Sequence, residues 1–266
     1  DLDNWPRVVQ LAWQIHDENG ELVEVQDHII YPDGFDIPFN ATKVHGISTE
    51  RAKNEGRPLA DVLTDFEEAL EKCEYLVGHN VNFDLNVTGC EYYRVTGENP
   101  LDAKKSLDSC TETTAKLCEL PGGRGGRYKL PKLEELHRHL FGEGFAEAHN
   151  AAFDVEATAR VFLELLRIKV ITPEAIGKPS SFLDGFYAAN TGPIASIGLA
   201  VDEARKKREK GLDQKAKKKA SGNADLHAAD VEFAHLHNHS QFSILQATTV
   251  VSELVRAAVD NGHAGV

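Results

Sequence analysis

The chain has 266 residues, with 29 Lys and Arg against 42 Asp and Glu, a formal net charge of −13 and a hydrophobic share of 41%. That length suits one sizeable core plus a smaller second unit. No apolar run approaches the roughly 18 residues a membrane span needs, and the opening DLDNWP has neither the basic nor the apolar region of a signal peptide. A cytoplasmic address is therefore expected. The chain has no Met, which marks it as a possible fragment, and its four cysteines form no CxxC pair and read as reduced thiols.

In chain order, VVQLAWQI (Val8 to Ile15) and LVEVQDHIIY (Leu22 to Tyr31) flank Asp17-Glu18-Asn19-Gly20, a β-hairpin pattern. Leu59, Val62, Leu63, Phe66 and Leu70 recur at helical spacing, and Glu74 to Gly78 reads as a short buried strand after that helix. Further helical patterns run from Lys132 to Leu140 and from Asp154 to about Ile168. Strands followed by alternating helix and strand predict an α/β domain with a mixed sheet over residues 1–170. Residues 171–201, rich in Pro and Gly, predict an irregular connection with one short helix near Phe182 to Ala189.

Charge is distributed unevenly. Residues 202–225 carry nine Lys and Arg against five acids, a local +4 that leaves −17 on the rest. A body so negative cannot hold nucleic acid by bulk electrostatics, so any nucleic-acid chemistry must be local, with metal ions as its expected means. Residues 202–230 read as a basic, solvated linker, since the run has no apolar face. Apolar residues resume at Val231 and open a second unit, residues 231–266.

Two segments carry candidate chemistry. In Gly78-His79-Asn80-Val81-Asn82-Phe83-Asp84 a strand end, a glycine turn and a helix start deliver Asp84 to a first helical turn, where α/β folds build sites. In His149-Asn150-Ala151-Ala152-Phe153-Asp154, His149 lies on a loop and Asp154 opens a helix. Taken singly, each aspartate reads first as a helix N-cap, the second with a surface His beside it. Taken together, two hard carboxylates suit Mg²⁺ or Mn²⁺, and a nearby imidazole suits proton abstraction from water. A third segment, Phe233 to Ser240, alternates His235, His237 and His239. On a strand these share one face, a spacing suited to Zn²⁺, Mn²⁺ or Fe.

GHNVNFD and HNAAFD resemble the second and third signature segments of the DnaQ-like (DEDDh) 3′–5′ exonucleases, and Val44-His45-Gly46-Ile47-Ser48 resembles the loop those enzymes set against the terminal nucleotide. The resemblance covers residues 7–168 and implies a ribonuclease H-like fold and two-metal phosphodiester hydrolysis. It implies that Asp84 and Asp154 are metal ligands, that His149 is the general base, and that His45, Phe83 and Asn80 bind the last nucleotide. The family also uses an Asp-x-Glu pair on a strand upstream of Arg7. Asp1 and Asp3 have that spacing without an apolar strand before them and read as loop residues, so the polypeptide alone is expected to have little or no nuclease activity.

Residues 231–266 resemble the opening of the PHP domain of bacterial polymerase III alpha subunits, which implies His237 and His239 as ligands of Zn²⁺ or Mn²⁺. The combined expectation is a proofreading exonuclease segment of a replicative polymerase, acting on a DNA 3′ end beside partners such as a sliding clamp. Two other expectations stay open. One is a stand-alone RNA-processing exonuclease and the other a non-catalytic scaffold.

Overall fold

The computed structural model describes Leu2, residues 5–144, residues 151–196 and the backbone of residues 231–240. Strand β1 (Val8–Asp17) and strand β2 (Leu22–Ile29) form the expected hairpin. Asp17 closes it: its Oδ1 accepts the N–H groups of Asn19 and Glu21, both at 2.9 Å, and Gly20 takes the positive φ of 84° that the turn requires.

Helices α1 (Phe39–His45) and α2 (Thr49–Glu55) follow, then α3 (Leu59–Glu71), whose buried Val62, Leu63, Phe66 and Leu70 realise the helical spacing seen in the sequence. Strand β3 (Tyr75–Gly78) leads into α4 (Val81–Val95). Strand β4 (Lys105–Asp108), α5 (Glu112–Cys118), α6 (Leu133–Phe141), α7 (Ala151–Arg167), α8 (Asp184–Ala189) and strand β5 (Val231–Ser240) complete the chain order.

The sheet order is β2-β1-β5-β3-β4. β1 runs antiparallel to both its neighbours, β2 and β5, while β3 runs parallel to β5 and β4. This is the expected mixed sheet. The segment expected to open a second unit thus pairs, from Val231 to Ser240, into the middle of this sheet, with His237 opposite Ala12 and His239 opposite Gln10. The linker expected at 202–230 and the rest of the second unit expected after Ser240 lie outside the described residues.

β1 is buried on both sides, which is why its sequence is nearly continuously apolar. Leu11, Trp13 and Ile15 share a cluster with Val62 and Phe66 of α3 and Val87 and Tyr92 of α4. On the opposite face Ala12 meets Ala151 and Val155 of α7, while Tyr75 and Val77 of β3 meet Phe162, Leu163 and Leu166 further along the same helix. α3 and α4 therefore cover one face and α7 the other. The connection after α7 folds back onto it: Ile194 N–H donates to Glu164 Oε2 at 2.9 Å, and Arg160 Nε donates to the Ile194 carbonyl at 2.9 Å. Among the described residues no helix is long and apolar enough to cross a membrane.

Candidate active site

The end of β3 is a tight corner. A Cβ on Gly78 would lie 2.8 Å from Val81 side-chain atoms, so only glycine lets α4 start this close to the strand. Asn80 takes the left-handed conformation, φ 65° and ψ 46°, which asparagine tolerates better than most residues. The corner is fixed from β4: Asp108 Oδ1 accepts the N–H of Asn80 at 2.8 Å and of Cys110 at 2.7 Å, and its Oδ2 accepts the N–H of Val81 at 3.2 Å. His79 ties in the neighbouring loop, its Nε2 donating to the Pro131 carbonyl at 2.9 Å while Nδ1 meets Ser109 Oγ at 3.0 Å.

Asp84 sits in the first turn of α4 and is only 3% exposed. The N-cap alternative does not hold for it: the capping position is Asn80, and the N–H groups of the corner are taken by Asp108. Asp154 is likewise inside the first turn of α7 and 6% exposed. Each carboxylate gains from the positive end of its helix dipole. Glu91, fully buried two turns along α4, accepts Arg7 Nε at 3.0 Å and the Val8 N–H at 2.8 Å, which locks the start of β1 to α4.

The strand directions bring these parts to one edge. α4 begins at the carboxyl end of β3. α7 begins against Ala12, level with His237 in β5, and then runs back over Val77 and Tyr75 toward the amino end of β3. Its first turn therefore lies at the same edge as that of α4, on the other face of the sheet. Ala151 and Ala152 are small and buried, which lets the start of α7 lie close against β1. The loop after α1 belongs to this edge too, because Ile47 and Ala41 pack on Val9 at the amino end of the antiparallel β1.

His45 ends α1 and is 8% exposed. Its Nδ1 accepts the Ile47 N–H at 3.1 Å, and burial pushes its pKa down from the ordinary value to about 4, so it is a neutral imidazole near pH 7. Phe83 is half-buried against the cluster built on Leu11 and Trp13, so part of its ring is core. His149 lies outside the described residues. Asn80, Phe83 and Asp84 share the α4 corner, and Asp154 and His45 reach the same edge on other elements.

Sequence reading did not identify Asp108, His79 or Glu91. The signal for Asp108 was a carboxylate at the end of the short KSLD strand, facing a corner whose N–H groups need acceptors. As for a cation, Asp84 and Asp154 are hard oxygen donors that fit Mg²⁺ or Mn²⁺. Among the described residues, however, no three His, Cys, Asp or Glu side chains gather as a metal site. The pair is part of a ligand set and does not complete one by itself.

This mixed sheet, with carboxylates in the first turns of two helices at one edge, is the arrangement of an exonuclease domain, and the chain belongs to the RNase T exonuclease family, whose profile matches residues 6–162. It is 31% identical over 164 residues to the 3′-5′ exonuclease DinG of Bacillus subtilis, covering 60% of this chain and 16% of that protein. It is 25% identical over 210 residues to the PolC-type DNA polymerase III of Streptococcus pneumoniae, covering 73% of this chain and 13% of that protein. The chain thus spans less than a fifth of the length of these relatives. Among solved structures, E. coli Exonuclease I in complex with a dA16 oligonucleotide superposes with a TM-score of 0.50 at 21% identity, over 61% of this chain and 38% of that one, which is a likeness of fold.

Proposed function

We propose that this chain is the 3′–5′ exonuclease segment of a bacterial replicative DNA polymerase and removes mispaired nucleotides from a DNA 3′ end. The observation that carries the reading is the pair Asp84 and Asp154, buried carboxylates in the first turns of two helices that start at one sheet edge from opposite faces. The names of two relatives support the direction and the setting, one a 3′-5′ exonuclease and the other a polymerase III. The oligonucleotide bound by Exonuclease I supports a DNA strand as substrate.

In this reading Asp84 and Asp154 would supply part of the oxygen cage for Mg²⁺ or Mn²⁺, which when bound would polarise the scissile phosphate and make a water easier to deprotonate. His149 takes the proton of that water. His45, held neutral by burial and fixed in place by its bond to Ile47 N–H, orients the terminal nucleotide without adding charge, and Phe83 and Asn80 complete that contact. Residues 231–266 extend the reading to the opening of a PHP domain, with His237 and His239 as its candidate ligands and 202–230 as the basic tether.

Two of the ligands alone make a weak cage, so the 266-residue polypeptide is expected to excise nucleotides slowly at best. The test supplies the rest: a strand bearing Asp-x-Glu is fused ahead of Arg7, and 5′-labelled single-stranded DNA is followed in Mg²⁺ or Mn²⁺. A ladder shortening from the 3′ end, lost in Asp84→Asn and in Asp154→Asn, is expected. No excision with either ion, or excision indifferent to both substitutions, rejects the proposal.

A further inference from the structure

Between α5 and the glycine-rich segment Gly122 to Leu130 lies a cavity of about 750 Å³ that the aspartate edge does not include. Four cations line it, Lys116, Arg124, Arg127 and Lys129, against one carboxylate, Glu112, in a chain whose net charge is −13. Arg127 is neutralised by Glu112 at 2.7 Å and Lys129 by Glu135 at 2.6 Å. Lys116 and Arg124 have no carboxylate partner among the described residues. Tyr128, 45% exposed, and Leu130 present apolar surface beside them.

The backbone here is kept bare. Gly122, Gly125 and Gly126 all have positive φ with open space where a side chain would be, so another polymer can approach the main chain closely. The segment is not a remote appendage. It ends at Pro131, whose carbonyl accepts His79 Nε2 at 2.9 Å, and His79 is two residues before the start of the helix that carries Asp84. The end of the segment is thus tied by one hydrogen bond to the loop that leads into α4.

We infer that the cavity between α5 and the Gly122 to Leu130 segment holds the single DNA strand a few nucleotides upstream of the cleaved terminus, with Lys116 and Arg124 on its phosphates and Tyr128 stacked on a base. Unpaired cations beside an exposed aromatic ring are the combination that grips a single strand without reading its sequence, and an aromatic ring has no special use on an acidic peptide. The inference rests on the exonuclease reading for its direction along the strand.

The test is fluorescence-anisotropy binding of 5′-fluorescein dT3 and dT10 to the full chain in Ca²⁺, with the Lys116→Ala/Arg124→Ala double variant and Tyr128→Ala. In the unaltered chain dT10 is expected to bind more tightly than dT3. The double variant is expected to lose most of that increment and to flatten the salt dependence of dT10 by a slope of about 1.4, two cations at roughly 0.7 each for a single strand. Tyr128→Ala is expected to cost dT10 about fivefold or more while leaving dT3 unchanged. Unchanged dT10 affinity and slope in both variants overturn the inference, as does competition by poly-glutamate as effective as that by DNA. Asp84→Asn separates the two readings. Loss of preference for a free 3′ end over circular single-stranded DNA belongs to the aspartate edge, and the length increment belongs to the cavity. If the increment survives in a chain that never distinguishes ends, the exonuclease reading fails and the strand-binding surface stands.

Discussion

Two buried groups decide how the edge behaves with pH and mutation. His45 has its pKa lowered by burial to about 4, so the folded chain disfavours protonation that the unfolded chain accepts near 6.5. The sign follows: this stabilising difference is complete above pH 6.5 and is lost as the pH falls from 6.5 through 4, amounting to on the order of 2–3 kcal/mol. His45→Asn should flatten the acid limb of stability measured by urea unfolding between those limits, although His16, also depressed by burial, keeps part of it. Glu91 is the second group. Removing it leaves Arg7 and the Val8 N–H without their buried acceptor, and breaking one side of such a pair costs about 3–5 kcal/mol. Glu91→Ala should lower the unfolding free energy measured by urea titration by that amount, and a loss under about 1 kcal/mol would mean that Arg7 finds water instead.

The elements most visible in the sequence were those whose apolar spacing is long enough to repeat. The hairpin Val8 to Tyr31, helix α3 and helix α7 were legible because their buried faces recur over three or more turns or alternations. α1, α2, β4 and α5 were not, since each is four to seven residues long and is held by local devices in place of a core stripe. Ser48 accepting Arg51 N–H at 3.1 Å starts α2, and Thr111 caps α5. Asp84 and Asp154 were legible as helix-start carboxylates, but their joint location needed strand directions that no local spacing contains. Asp108 shows the same limit, because its three N–H donors come from residues 80, 81 and 110. Asp108→Ala should release the α4 corner, cost about 1–2 kcal/mol in the manner of a lost cap, and weaken divalent-ion binding at Asp84. Asp108→Asn, which keeps one acceptor, should recover part of both, and equal losses in the two variants would count against a positioning role.

At the scale of the whole molecule the central place in the sheet is the pivotal feature. Among the described residues β5 alone joins the β1–β2 hairpin to the β3–β4 pair, and α4 and α7 lie against it from opposite faces. A strand bringing further carboxylates to both Asp84 and Asp154 must enter where those two helices face each other, between β1 and β3, because the outer edges of those strands are already taken by β2 and β4. An Asp-x-Glu strand placed ahead of Arg7 and the segment Val231–Ser240 therefore want one position. Backbone pairing is lost by whichever strand is excluded, and a buried unpaired ladder is costly, so occupancy should be all or none. Hydrogen exchange gives the measurement. In the 266-residue chain the amides of Val231 to Ser240 should be protected along with those of β1 and β3. In the extended, nuclease-active chain they should exchange freely while β1 and β3 stay protected, and Leu236→Pro should destabilise the first protein but leave the second unaffected. An active extended chain that still protects Val231 to Ser240 would show that the two strands do not compete.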